Sequence, residues 1–170
     1  MNLRDYITEV PNFPEKGVSF KDITPLLEDP QGFALAADQL LDFTEGLHID
    51  KVVGIESRGF FFAPLLAHRL NAGFIPARKP GKLPRKIHSQ EYELEYGTDA
   101  LEIHQASISE GDRVLIHDDV LATGGTARAM CDLIDNLGGV VVQCNFLIEL
   151  SFLNGRDKLE GVPLKSLIIY

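Results

Sequence analysis

The chain has 170 residues, 45% hydrophobic and 8% aromatic, which is enough for one domain with a core of its own. Its 25 acidic residues against 16 basic ones give a formal charge of −9, which argues against nucleic acid as the main partner, since a phosphate backbone needs a basic face. No apolar run reaches the length of a membrane span, residues 1–5 do not read as a secretory leader, and Cys131 and Cys144 lack metal-ligand or CxxC spacing. A cytoplasmic protein with two free thiols, rather than a disulfide, is expected.

Residues 3–9 are expected as a short helix, ended by the stretch from Pro11 to Pro14. Pro30 after Asp29 marks a helix start, and Phe33, Ala36, Ala37, Leu40, Leu41 and Thr44 recur at helical spacing as far as Gly46. Residues 51–55 read as a buried strand, Ser57 as the cap of a helix through 60–70, and residues 72–77 as a second strand. Residues 79–100, with Pro80, Gly81, Pro84 and Gly97, form a long excursion read as an antiparallel flap; such long segments are usually functional or mobile. Gly111-Asp112 then turns the chain into a strand at 113–118. A helix over 125–137 is closed by Gly138-Gly139, and strands follow at 140–149 and 164–170. This alternation predicts a single α/β domain over 1–170, with a mainly parallel sheet flanked by helices and a site at the carboxyl ends of its strands.

The chemistry concentrates between Val114 and Thr126. An apolar strand ends in the paired acids Asp118 and Asp119, runs through Val120, and enters the turn Ala122-Thr123-Gly124-Gly125-Thr126 before a helix. Glycines let backbone approach a ligand, the threonines add hydroxyl donors, and the first amides of the helix face an anion with the helix dipole behind them. That suits a phosphate monoester, whereas the acid pair suits sugar hydroxyls or a hydrated divalent cation. Together they point to a phosphorylated ribose. The pattern is neither a P-loop nor a dinucleotide fingerprint, although strands ending in acids and a glycine turn also occur in many other α/β proteins. Residues 78–86 hold five of the sixteen basic residues, which is either a solvated loop or a receptor for an anionic substrate.

This motif resembles the 5-phospho-α-D-ribose 1-diphosphate (PRPP) motif of the type I phosphoribosyltransferases, and its Ala122 to Thr126 form is similar to that of the adenine-specific members. The resemblance covers nearly the whole chain. Residues 17–27 are similar to that family's base-binding hood (about 10–28), which implies Val18, Phe20 and Lys21 at the purine; the family usually has arginine where Lys21 stands. Residues 54–60 match a segment with a cis peptide between the positions of Glu56 and Ser57, and imply Arg58 at diphosphate. Residues 92–97 resemble the catalytic part of the mobile flap (about 79–100). That match implies Glu95 as the acid near the purine, Tyr96 as a closing residue, and Lys79 and Lys82 at diphosphate.

The resemblance further implies a type I phosphoribosyltransferase fold, conversion of adenine and PRPP to AMP and diphosphate in purine salvage, Mg²⁺ held mainly through substrate, and a homodimer. No metal ligand is expected from the protein, and no nucleic-acid or membrane partner. Ala122 stands where hypoxanthine-guanine enzymes usually place an acid; xanthine enzymes are harder to separate. A PRPP-sensing regulator lacks the basic surface it would need. His117 is expected to point away from Asp118 and to be packed or partly exposed, not a ligand.

Overall fold

The computed structural model describes residues 1–94 and 96–170, which fall into two compact units, Met1–Gln39 and Leu40–Tyr170. In the first, a 3₁₀ turn over Leu3–Tyr6 leads into β1 (Thr8–Pro11), which pairs antiparallel with β2 (Ser19–Asp22). The expected helix over 3–9 is therefore only one turn. The Asn2 side chain accepts from the Arg4 amide and starts the turn, but Thr8 and Val10 favour an extended chain, and pairing with Asp22 and Phe20 takes them. The short helix α1 (Thr24–Glu28) precedes α2 (Pro30–Asp42). Asp29 caps α2, accepting from the Gly32 amide at 2.6 Å, with Pro30 at the first helical position.

The second unit is built on β3 (Lys51–Ile55), α3 (Ala63–Arg69), β4 (Gly73–Ala77), a hairpin of β5 (Ile87–Glu93) and β6 (Thr98–His104), then β7 (Arg113–Leu121), α4 (Gly125–Asn136), β8 (Val140–Glu149), α5 (Gly155–Lys158) and β9 (Leu164–Ile169). The sheet order is β4-β3-β7-β8-β9 and every pairing in it is parallel. Near-continuous burial of β3, β7 and β8 explains their apolar runs, because a parallel sheet is covered on both faces. The helix expected through 60–70 is interrupted. Ser57 makes no side-chain cap, residues Arg58–Phe61 form a 3₁₀ turn, and Pro64 starts α3 afresh because it has no amide to continue a helix. The cis peptide expected between Glu56 and Ser57 is present, as is a cis Phe13–Pro14 bond.

α4 ends in a complete Schellman arrangement. Gly138, at φ 86°, donates to the Asp135 carbonyl at 3.0 Å, and Gly139 donates to Ile134 at 3.0 Å. Behind the sheet, His117 is wholly buried, as its packed alternative anticipated. Its Nδ1 lies 2.8 Å from Asn145 Oδ1, and Gln143 Nε2 donates to the Phe43 carbonyl at 2.8 Å. Among the described residues Nε2 of His117 has no hydrogen-bond partner, and burial lowers the His117 pKa below its ordinary value, which favours the neutral ring.

Two outcomes follow for stability. Gly138→Ala is expected to cost about 1–2 kcal/mol through the left-handed backbone, read as a lower urea midpoint at unchanged slope. His117 takes up a proton in the unfolded chain but resists it when folded, so its contribution is full above about pH 6.5 and is lost as pH falls below. Urea midpoints of the wild type should therefore drop relative to His117→Gln on acidification below that pH, and run parallel above it; parallel curves throughout would refute the assignment.

Candidate active site

β7 lies at the centre of the sheet and carries Asp118 and Asp119 to its carboxyl end, where the chain leaves in the turn 122–124. The turn hinges on Gly124, whose φ is 85°. A Cβ there would also overlap the Gly155 carbonyl oxygen, so the position demands glycine on two counts. Arg128 N donates to the Gly124 carbonyl at 2.9 Å as the first helical bond of α4. The amides of Gly125, Thr126 and Ala127 consequently lack intrahelical partners and sit at the positive end of the helix. A depression of about 310 Å³ opens here, lined by Asp118, Val120, Ala122, Thr123, Gly124 and Thr126 among others. β7 and the start of α4 bring these residues together.

The two acids are not equivalent. Asp119 is buried and its Oδ2 stands 2.8 Å from Arg58 Nε as an ion pair. Asp118 keeps partial solvent contact, but the dense protein around it and the neighbouring Asp119 charge push its carboxyl well above the usual carboxylate range. Its Oδ1 also accepts from the Asp119 amide at 2.8 Å. The two acids differ in setting: Asp119 lies buried against a guanidinium, and Asp118 is pushed toward its protonated form, which can donate as well as accept. Gly59 allows this packing, since a Cβ there would come within 3.1 Å of both Asp118 Oδ1 and the His117 carbonyl.

The basic cluster is arranged against carboxylates. Glu56 is largely buried; Arg78 Nε donates to its Oε2 at 2.5 Å, and Lys82 donates to its Oε1. Burial works to raise the Glu56 pKa, but the hydrogen bonds from Lys82 and Arg78 outweigh it and hold the carboxyl below its usual range. Lys79 donates to Asp99 and, at 2.7 Å, to the Tyr92 hydroxyl. The antiparallel register that sets Tyr92 opposite Asp99 makes this cluster. Periodicity along one strand could not have supplied that partner; a hairpin alignment of 87–93 with 98–104 could have.

At the hairpin tip the Leu94 amide donates to the Gly97 carbonyl at 2.9 Å, and Tyr96 is 87% exposed. Glu95 lies outside the described residues. In the first unit, Val18 is exposed, Phe20 packs edge-on against Phe13 at 5.1 Å, and Lys21 is buried with its ammonium 2.7 Å from Glu9. Glu9, like Asp99, was absent from the residues singled out in the sequence, and Glu56 was named there only for its peptide bond.

Residues 26–162 match the phosphoribosyl transferase domain family. The chain is 61% identical over 170 residues to an adenine phosphoribosyltransferase of Christiangramia forsetii, covering 100% of this chain and 99% of that one. Among solved structures, the adenine phosphoribosyltransferase of Rhodothermus marinus is 53% identical with a TM-score of 0.95, over 99% of this chain and 96% of that one. The Saccharomyces cerevisiae enzyme, complexed with D-2,5-dideoxy-2,5-imino-altritol 1,6-bisphosphate and adenine, is 41% identical with a TM-score of 0.90, over 96% and 95%. The strand, acid pair and glycine turn thus occur in a chain that matches these enzymes from end to end, and it belongs to the adenine phosphoribosyltransferase family.

Proposed function

We propose that the chain transfers the phosphoribosyl group of PRPP to adenine, giving AMP and diphosphate in purine salvage. The observation that carries this reading is the junction of β7 and α4, where an inequivalent acid pair stands beside a turn with unpaired amides. A phosphate monoester suits the turn, and sugar hydroxyls suit the acids. In the reaction, a bond forms between adenine N9 and the anomeric carbon while the bond from that carbon to diphosphate breaks, and the ring gives up a proton. Positive charge grows on the sugar and negative charge on the leaving group, so fixed charges on either side lower the barrier.

Ala122, Thr123, Gly124, Gly125 and Thr126, with Val120 beside them, would hold the 5′-phosphate. Asp118 and Asp119 would hold the ribose hydroxyls and offset the sugar's growing charge. Arg58, Lys79 and Lys82 are assigned to diphosphate. In the present arrangement Arg58 is paired to Asp119, Lys79 to Asp99, and Lys82 to Glu56, so diphosphate would have to exchange with these carboxylates. Val18, Phe20 and Lys21 are assigned to the purine, Tyr96 to closing the flap, and Glu95 to proton movement at adenine N7. Asp118 and Asp119 suit the waters of a hydrated Mg²⁺ that is held mainly through substrate oxygens, with no protein ligand required. Bound in that way, Mg²⁺ would neutralise charge on the departing diphosphate.

A cytoplasmic homodimer is the setting this reading implies; no described helix is long and apolar enough to cross a membrane. The chain is further proposed to act as one domain, with the hood over about 10–28 and the flap over about 79–100.

Purified protein given PRPP and Mg²⁺ with adenine, hypoxanthine, guanine or xanthine in separate reactions should form AMP from adenine alone, as read by chromatography. Product from xanthine or guanine instead would retain the PRPP site and overturn the assignment of the base. No product from any base, with PRPP still bound, would favour a PRPP-sensing regulator. Asp119→Asn should lower kcat/KM for PRPP by about 10- to 100-fold, the scale of one charge-assisted contact, with unchanged circular dichroism.

A further inference from the structure

A second depression, open to solvent, shares Thr123 and Thr126 with the first and is lined also by Gly125, by Tyr92 and Glu93 of the hairpin, and by Lys158 of α5. Lys158 is exposed and, among the described residues, has no ion-pair partner. Its Nζ lies 3.9 Å from where a Cβ on Gly125 would stand, so it is close to the first turn of α4. Every other cation assigned to substrate in this unit is already matched: Arg58 by Asp119, Lys82 by Glu56 and Lys79 by Asp99. The acid in this cavity, Glu93, would repel an anion, which makes a nearby positive charge useful.

The segment carrying Lys158 is held to the turn by two features. Arg156 forks onto the buried Glu149 carboxylate, through Nε at 2.6 Å and its terminal nitrogen at 2.8 Å. Next to it, Gly155 packs backbone to backbone against the turn, so closely that a Cβ on it would overlap the Ala122 carbonyl. Lys158 therefore stands on a short helix whose start is locked to the residues that would grip the phosphate.

We propose that Lys158 is a further substrate-binding residue, its ammonium pairing with the phosphate monoester seated on the Thr123 to Thr126 turn. The inference rests on the reading of that turn as the 5′-phosphate site. AMP is the right probe, because it carries the 5′-phosphate and no diphosphate; pyrophosphate is the control. In calorimetric titrations, Lys158→Gln should weaken AMP binding about three- to fivefold, the upper end for one solvent-exposed charge pair, and reduce its dependence on salt. Lys158→Arg should stay within about twofold of the wild type for AMP, and pyrophosphate affinity should be unchanged in both variants. A merely structural lysine would not separate the two ligands in this way. Equal AMP affinity in wild type and Lys158→Gln overturns the proposal while sparing the turn. A wild type that binds pyrophosphate but not AMP overturns both.

Discussion

The central position of β7 in the parallel sheet is the constraint on which the rest depends. β3 and β8 pair with its two edges and its residues lie in a near-continuous buried run, so its apolar residues have no freedom to slip, and the strand end delivers the two acids and the turn to one fixed place. Past that end the backbone can make its turn only because Gly124 tolerates a positive φ and leaves room for Gly155. The first amides of α4 are thereby left facing outward. Local conformation and long-range packing meet at a single residue.

Around this rigid element the electrostatics are arranged in matched pairs. A chain of charge −9 gathers Arg58, Arg78, Lys79 and Lys82 in the same unit and sets each against a carboxylate, so none is left as a bare charge beside another. Burial of Glu56 would be costly without its two donors, and the two cations would repel each other without Glu56. The same logic separates Asp118 from Asp119: burial and the adjacent acid push the Asp118 carboxyl pKa upward, and Asp119 is the one set against Arg58. Diphosphate, an anion of higher charge, would compete for cations already held in place.

What the sequence made legible is what local patterning controls. The buried runs at 51–55 and 140–149 and the acid-rich strand leading to the glycine turn appear as strands in the expected places, with α4 opened and closed at its glycines. Two expected helices gave way for different reasons, strand pairing in one and a proline in the other. Thr8 and Val10 belong to a strand, and Pro64 divides what periodicity joined. Partners across the fold stayed hidden for a different reason. Glu56 meets Lys82, Lys79 meets Asp99 and Glu149 meets Arg156 only after strands and hairpin have been placed, and no spacing rule along the chain encodes that. The assignments of Val18, Phe20, Lys21 and Glu95 came from family resemblance, and periodicity had nothing to add to them.

The sheet order also carries a consequence for how the site comes into being. β7, α4 and β8 follow one another without interruption and form a single crossover, so the acid pair and the turn belong to one local unit. The join between β3 and β7 is of another kind: the Asp50 carboxylate reaches the Arg113 amide across 63 residues, with the whole β5–β6 hairpin between. Closing so long a loop is the slower event. The ion pair of Arg58 on Asp119 spans that long loop, whereas the acids and the turn need only the local crossover. A chain stalled before that step would hold its helix amides and acids in place, but without the arginine.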